Sequence, residues 1–172
     1  MANTDEPRSY EEAMESGENE WHQAMASEIR ALAENDTWEL TPYETGMRVL
    51  RGKWVYKIKR DSQGNVARHK ARWVVKGYEQ RYGIDYEETF AGVAKAMALK
   101  VLWAFAAQYD LEVEQMDAIV AFTQGEVSEE IYVEQPTGFE AGGGPKVCRL
   151  KRALYGLKQS ARLWQEKLSR AL

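Results

Sequence analysis

A β-hairpin is the feature of this sequence that most restricts its fold. Residues 53–59 place aromatic or aliphatic side chains on one face and mostly basic side chains on the other, which is the period of a strand. The residues Asp-Ser-Gln-Gly-Asn at 61–65 favour a turn. A second extended run follows over residues 66–78. The pattern therefore predicts an antiparallel pair of strands with one apolar face and one basic face.

The hairpin lies in a strongly basic block of the chain. Residues 48–81 contain 11 Lys or Arg and 2 Asp or Glu, a formal charge of +9, although the whole chain of 172 residues has a charge of −4. Residues 141–172 form a second basic block of +7, and residues 1–47 and 82–140 have −10 each. A local charge of this size attracts polyanions, so one interpretation is contact with phosphate groups. The alternative is a basic surface that the acidic segments of the same fold neutralise.

Length and composition favour one folded domain. The chain has 172 residues and is 44% apolar, which excludes a disordered polymer. Its single cysteine, Cys148, excludes an internal disulfide and a zinc site built from cysteines. No apolar run reaches the roughly 20 residues that a membrane span needs, and the acidic start does not have the pattern of a secretory signal. We therefore expect an intracellular protein, cytoplasmic or nuclear, with no membrane partner.

Periodicity predicts the remaining elements. Residues 1–19 lack apolar periodicity and are expected to form a mobile acidic tail. Helices are predicted over residues 20–34, 93–108 and from 159 onward, and strands over residues 37–40, 111–117, 131–133 and 147–150. The helix over residues 93–108 is rich in apolar side chains and is expected to be buried.

Asp117 is the candidate for metal chemistry. It ends the strand predicted over residues 111–117 and is followed by small and apolar residues. Carboxylate oxygens are the ligands that Mg²⁺ prefers, so an aspartate in this position can bind a divalent metal ion. The alternative is an aspartate that only caps the turn after the strand, and the residues alone leave both interpretations open.

Six segments, taken in order, resemble the reverse transcriptase domain of copia-type (pseudoviral) retrotransposons. They include Lys-Trp-Val-Tyr-Lys and Leu-Tyr-Gly-Leu-Lys-Gln, and they lie at residues 35–38, 53–57, 70–78, 85–90, 115–132 and 154–164. The resemblance covers about residues 20–172. It implies an α+β fold, in which an antiparallel hairpin and sheet packed by helices form the fingers and the N-terminal part of the palm. It also implies an RNA-directed DNA polymerase, a nucleotidyltransferase whose partners are an RNA template, a DNA primer and a deoxynucleoside triphosphate.

The same resemblance implies a catalytic centre and a phosphate site. Asp117 corresponds to the first catalytic aspartate of the palm and to a ligand of Mg²⁺, and Ala118 would offer its backbone carbonyl to the same ion. Lys57 and Arg72 are expected on the phosphates of the incoming nucleotide, where an arginine can form two parallel hydrogen bonds. Lys76 is expected on nucleic acid.

Further residues are assigned to the nucleotide and the template by the resemblance. Phe122 corresponds to the bulky residue under the sugar that excludes a 2′-hydroxyl, and Ala121 beside it is expected in the same nucleotide site. Tyr155 is expected to stack on the nucleotide. Lys158 and Arg162 are expected on phosphates of the nucleic acid.

The carboxylates of the chain differ from those of the family. The family has a further, adjacent Asp pair well after the Leu-Tyr-Gly-Leu-Lys segment, and this sequence has no Asp after Asp117. We therefore expect a truncated domain that does not polymerise DNA by itself, with uncovered palm surfaces through which it self-associates. Two alternatives are a non-catalytic nucleic-acid-binding or protein-interaction module derived from such an element, and a product without function.

Overall fold

The elements below come from a computed structural model, which describes residues 6–15, 19–118 and 120–171. Four helices and six strands lie in the described part of the chain. In chain order they are α1 (Tyr10–Glu15), α2 (Asn19–Glu34), β1 (Trp38–Pro42), β2 (Val49–Leu50), β3 (Gly52–Arg60), β4 (Val66–Val75), α3 (Ala96–Gln108), β5 (Tyr132–Val133), β6 (Lys146–Leu150) and α4 (Ser160–Ala171). The mixture of helices and sheets confirms the predicted α+β class.

The predicted hairpin is present as β3 and β4. The two strands pair antiparallel, with Trp54 opposite Trp73 and Lys57 opposite Lys70. Side chains along β3 alternate between buried and exposed, as the sequence pattern predicts. Because directly opposed residues share a face, the aromatic residues lie on the buried face and the cations on the exposed face.

Helix α2 covers the apolar face of the hairpin. It was predicted over residues 20–34, and Trp21, Met25 and Leu32 on one side of it are buried. The rings of Trp21 and Tyr56 lie 5.2 Å apart in an edge-to-face arrangement, and the Tyr56 hydroxyl donates to the Met25 sulfur at 3.3 Å. These contacts join the helix and the hairpin into one hydrophobic core.

The segment predicted to be a mobile tail is packed where the structure describes it. Residues 1–5 and 16–18 lie outside the described part of the chain. Ala13 of α1 is fully buried, and the Glu6 carboxylate accepts a hydrogen bond from the Ile58 backbone N–H at 2.9 Å. A helix of six residues is too short to show a reliable apolar period, so its order depends on tertiary packing. The division of the chain at residue 20 stays a prediction.

A second sheet packs beside the hairpin. Its strand order is β1-β6-β5-β2, with β2 and β5 parallel and the other pairs antiparallel. The predicted strands at 37–40, 131–133 and 147–150 correspond to β1, β5 and β6. Cys148 of β6 is buried, and burial raises the pKa of its thiol to about 12.

The burial predicted for α3 is wrong. The helix forms, but of its 13 residues Ala106 alone is buried. Its large apolar side chains are exposed on several sides; examples are Met97, Leu102, Trp103 and Phe105. A helix that is apolar all round needs a covering surface on more than one side, and the described residues do not provide that cover.

The strand predicted over residues 111–117 is absent. This segment is irregular and exposed. A strand needs a neighbouring strand to satisfy its backbone groups, and none of the strands in the described ranges pairs with this one. Within those ranges, no helix has the length and apolar character of a membrane span.

Candidate nucleotide-binding site

Three of the predicted nucleotide-binding residues contact one another. The Arg72 guanidinium carbon lies 4.7 Å from the centroid of the Tyr155 ring. The Phe122 ring lies 4.8 Å from the Tyr155 ring, at an angle of 63°. Each ring is partly exposed, so the group forms a surface that a ligand can reach. We call Arg72, Phe122 and Tyr155 the arginine–aromatic cluster.

The loop that carries Tyr155 is fixed against the end of β4. The Tyr155 carbonyl accepts a hydrogen bond from the Val75 N–H at 2.8 Å. Gly156 has a φ of +95°, and a Cβ there would lie 2.0 Å from the Val75 carbonyl oxygen. A Cβ at Gly77 would lie 1.9 Å from the Gly156 carbonyl oxygen. The two glycines therefore permit the close backbone contact that places Tyr155 beside Arg72.

Buried polar side chains form a hydrogen-bond network that includes the backbone of the same loop. Gln159, which is fully buried, donates through Nε2 to the Asp85 carbonyl at 2.8 Å. Its Oε1 accepts from Gln80 Nε2 at 3.0 Å, and Gln80 Oε1 accepts from the Lys158 N–H at 2.7 Å. We call Gln80, Asp85 and Gln159 the glutamine network. The sequence interpretation missed it, since Gln80 and Gln159 are 79 positions apart and no local spacing could pair them.

The second predicted phosphate ligand lies on the same face of the hairpin as Arg72. Lys57 is opposite Lys70, and Val55 is opposite Arg72, so Lys57 and Arg72 are diagonal neighbours. The Lys57 Nζ lies 3.0 Å from the Glu6 carboxylate. The exposed face also has other basic side chains, which are Lys53, Lys59, Arg68 and Lys70. This arrangement places six cations on one side of two strands.

A groove of about 650 Å³ runs between α2 and β4 next to the cluster. Arg72 and Tyr155 line one part of it, and Lys70 and Glu28 line another. Burial lowers the pKa of Lys70, and repulsion from Arg72 lowers it further. Burial also raises the pKa of Glu28, although Arg72 and Lys70 oppose the shift, and its Oε1 is buried without a hydrogen-bond partner. The groove therefore combines excess positive charge with one poorly solvated carboxyl group.

The residues predicted to contact nucleic acid lie at different places around this site. Lys158 Nζ lies 3.0 Å from the Tyr86 hydroxyl oxygen. Arg162 forms an ion pair with Glu166 on the next turn of α4. Lys76 is partly buried at the end of β4. No contact with a ligand tests these three residues, and they stay predictions.

Asp117 and Ala118 lie in the exposed segment that follows α3. Ile119, two residues after Asp117, is outside the described residues. Across the described ranges there is no group of three or more His, Cys, Asp or Glu side chains that could hold a metal ion. At nucleotide sites Mg²⁺ is bound by one or two carboxylates together with phosphate oxygens and waters, and Asp117 with Ala118 offers one carboxylate and one carbonyl. The Mg²⁺ site that the resemblance implies is therefore not provided by these residues alone.

The chain is similar to proteins of transposons. Residues 35–172 match the family described as "Reverse transcriptase (RNA-dependent DNA polymerase)". The "Retrovirus-related Pol polyprotein from transposon TNT 1-94" of Nicotiana tabacum is 46% identical over 164 residues, which are 94% of this chain and 12% of the relative. The corresponding polyprotein from transposon RE2 of Arabidopsis thaliana is 41% identical over 170 residues, which are 98% of this chain and 12% of the relative.

A shorter relative is also similar. An uncharacterized mitochondrial protein of Arabidopsis thaliana is 39% identical over 91 residues, which are 53% of this chain and 54% of that protein. No solved structure matches the chain significantly. Because the family match covers residues 35–172 and the polyproteins match nearly the whole chain, the copia-type resemblance is confirmed. The chain belongs to the reverse transcriptase (RNA-dependent DNA polymerase) family.

Proposed function

We propose that this chain is the nucleotide-binding part of an RNA-directed DNA polymerase of a copia-type retrotransposon, with β3 and β4 as the fingers and residues 111–124 as part of the palm. The arginine–aromatic cluster is the observation that supports this function best. Its members lie 50 and 33 positions apart in sequence, as Arg72, Phe122 and Tyr155, yet Tyr155 contacts both of the others. The contacts bring a cation and two rings together at one exposed place.

Phosphate binding is the task that we assign to the exposed face of the hairpin. Arg72 presents a planar guanidinium that can pair with two oxygens of a triphosphate. Lys57 lies diagonally from it on the same face. The Glu6 carboxylate now bonded to Lys57 would be replaced by a phosphate oxygen of the nucleotide, since both are anionic acceptors. Lys57 would thus exchange its ion pair with Glu6 for an ion pair with the nucleotide.

Sugar and base binding are the tasks that we assign to the two rings. Tyr155 offers a ring for stacking on the nucleotide, and Phe122 packs against it at the position expected under the sugar. Ala121 is small and partly exposed, so it leaves space beside Phe122. A bulky ring at this position would collide with a 2′-hydroxyl, which favours deoxynucleotides over ribonucleotides.

DNA synthesis by the chain alone is excluded in this proposal. Asp117, with Ala118, is retained as the proposed metal ligand, but two-metal nucleotidyl transfer needs several carboxylates around the ions. The sequence has no Asp after Asp117. We therefore assign this chain to substrate binding, and any catalysis requires carboxylates from outside these 172 residues.

Titration with a fluorescent deoxynucleoside triphosphate tests the binding site. Arg72→Gln should weaken binding about tenfold or more, which is the size of a lost charge-assisted hydrogen bond. Arg170→Gln, which removes an exposed arginine near the end of α4, should leave the affinity unchanged and serves as the control. Equal affinities of the wild-type chain and the Arg72→Gln variant would remove the cluster as the nucleotide site.

Primer extension on an RNA template tests the exclusion of synthesis. The purified chain, with magnesium or manganese present, should add no nucleotides to a DNA primer. Asp117→Asn is the control, because contaminating polymerases would not depend on it. Extension that disappears in the Asp117→Asn variant would overturn the proposal that the chain is inactive alone.

A further inference from the structure

A carboxylate from the segment before α1 is bound to one of the proposed phosphate ligands. The two carboxylate oxygens of Glu6 lie 3.0 and 3.1 Å from Lys57 Nζ, and one of them accepts the Ile58 N–H at 2.9 Å. The Glu6 side chain is 17% exposed, whereas that of Lys57 is 56% exposed. The hydrogen bond from Ile58 lowers the pKa of the Glu6 carboxyl, and Lys57 lowers it further, so the group is charged at neutral pH.

Helix α1, which follows Glu6 in the chain, holds it in this position. Ala13 of the helix is fully buried in the hydrophobic core. The ring of Tyr10 lies against Gly138 so closely that a Cβ on the glycine would be 2.4 Å from the ring. Because the helix is anchored at these two places, the Glu6 carboxylate stays beside Lys57 at a high effective concentration.

The ion pair between Glu6 and Lys57 opposes binding of a nucleotide at the exposed face of the hairpin. Lys57 and Arg72 are diagonal neighbours on that face and are the two cations assigned to the phosphates. A phosphate that reaches Lys57 has to displace the Glu6 carboxylate or share the cation with it. Two anions beside one cation repel each other, so either course costs binding energy. Glu6 therefore acts as a competitor that belongs to the chain itself.

We propose that Glu6 is autoinhibitory: its carboxylate competes with the nucleotide for Lys57 and lowers the affinity of the chain for deoxynucleoside triphosphates. This inference rests on the proposed function and adds a means of regulating the same site, since any event that moves Glu6 away from Lys57 raises the affinity. The alternative is that Glu6 only fastens its segment to β3. In that case its charge contributes to stability and has no effect on the affinity for a nucleotide.

Titration of the full chain with a fluorescent deoxynucleoside triphosphate at low salt tests the competition. The variants are Glu6→Gln, Lys57→Gln and the double variant that combines them. Glu6→Gln loses the negative charge but keeps an oxygen that can accept the Ile58 N–H, so the segment retains that hydrogen bond. Glu15→Gln, which removes the same charge from an exposed position of α1, is the matched control. Urea unfolding of each variant shows whether the fold is retained.

The expected result is a gain of affinity that depends on Lys57. Glu6→Gln should bind the nucleotide about twofold to fivefold more tightly than the wild-type chain, the range for loss of one exposed ion pair. Glu15→Gln should bind like the wild-type chain. In the Lys57→Gln background, most of the gain from Glu6→Gln should disappear, because the cation for which the two anions compete is absent. The gain should also shrink as salt concentration rises.

Contrary results separate this inference from the proposed function. If the wild-type chain binds the nucleotide and Glu6→Gln binds it equally well, autoinhibition is wrong and the proposed function stands. If Glu15→Gln gains as much as Glu6→Gln, or if the gain from Glu6→Gln is the same without Lys57, competition for Lys57 is again wrong. If neither the wild-type chain nor Glu6→Gln binds the nucleotide at low salt, both proposals fail.

Discussion

Among the single residues of the candidate site, Tyr155 is the one that contacts both of the others. Arg72 lies over its ring, and Phe122 packs against the edge of the same ring. The resemblance assigned all three to the nucleotide, but it gave no reason for them to meet. Their contact depends on Gly156 and on the bond from Val75 to the Tyr155 carbonyl, which are properties of the folded backbone.

Replacement of Phe122 should change the choice between sugars. In Phe122→Ala, the space under the sugar can admit a 2′-hydroxyl, so the preference for deoxynucleotides over ribonucleotides should fall by about tenfold. Competition of dATP and ATP against one fluorescent nucleotide measures the ratio, which cancels any loss of affinity that both share. An unchanged ratio would show that Phe122 does not lie under the sugar.

Glu28 should make stability depend on pH. Burial raises the pKa of its carboxyl above the ordinary value of 4.5, so the folded state holds a proton that the unfolded state has released. Stability is therefore highest at low pH in this range and falls as pH rises through 4.5 toward the raised pKa. Glu28→Gln, which cannot ionise, should be more stable than the wild-type chain at neutral pH by about 1 kcal/mol.

Urea unfolding over a pH series measures this difference. The advantage of Glu28→Gln should shrink to nothing below the ordinary pKa, where both side chains are neutral. Glu34→Gln, an exposed position on the same helix, should show no such trend. An advantage that does not change with pH would mean that ionisation of Glu28 is not its cause.

Sequence periodicity predicted most of the strands and helices, including β1 and β6, which pair with Trp38 opposite Leu150. β3, β4 and α2 form as expected, because the hairpin and the helix cover each other's apolar faces. The burial of α3 and the strand over residues 111–117 were wrong, because each needs a covering surface or a paired strand that the pattern cannot supply. The helix α1 was missed because its order comes from the burial of Ala13 in the core.

The loop at the end of β4 should be sensitive to one added methyl group. Gly156→Ala requires a side chain at a φ of +95° and 2.0 Å from a carbonyl oxygen, so it should lower the free energy of unfolding by about 2 kcal/mol or more. Gly64→Ala at the hairpin turn has a similar φ of +88° with no atom within 4 Å, and it should cost only about 1 kcal/mol. Urea unfolding measures both, and equal losses would contradict the close contact.

Helix α3 should make the chain self-associate. Its exposed apolar side chains form a surface that favours association in water. Light scattering at tens of micromolar should therefore show species larger than the monomer. Trp103→Glu should restore the monomer, whereas Val66→Glu, which adds the same charge to an exposed position on the hairpin, should not. A monomeric wild-type chain would show that α3 is not such a surface.

At the scale of the whole molecule, both interpretations of the charge pattern apply: acidic segments neutralise part of the basic block, and part of it stays available for phosphates. Acidic residues do neutralise part of the basic block: Glu6 pairs with Lys57, and Glu79 pairs with Arg51. The block nevertheless keeps a face with several cations, and Arg72 on it contacts a ring instead of a carboxylate. The fold therefore places several cations on the exposed face of the hairpin beside the arginine–aromatic cluster, which the net charge of −4 conceals.

Binding of a fluorescent deoxynucleoside triphosphate over a series of salt concentrations tests the central claim most directly. The association constant should fall as the salt concentration rises, because salt screens the attraction between the cations and the phosphates. The double variant Lys57→Gln and Arg72→Gln should bind more weakly and lose most of this salt dependence, because both side chains are assigned to the phosphates of the nucleotide. No binding at low salt, or the same affinity and salt dependence in the double variant, would contradict the claim that the exposed face of the hairpin binds the phosphates of the nucleotide.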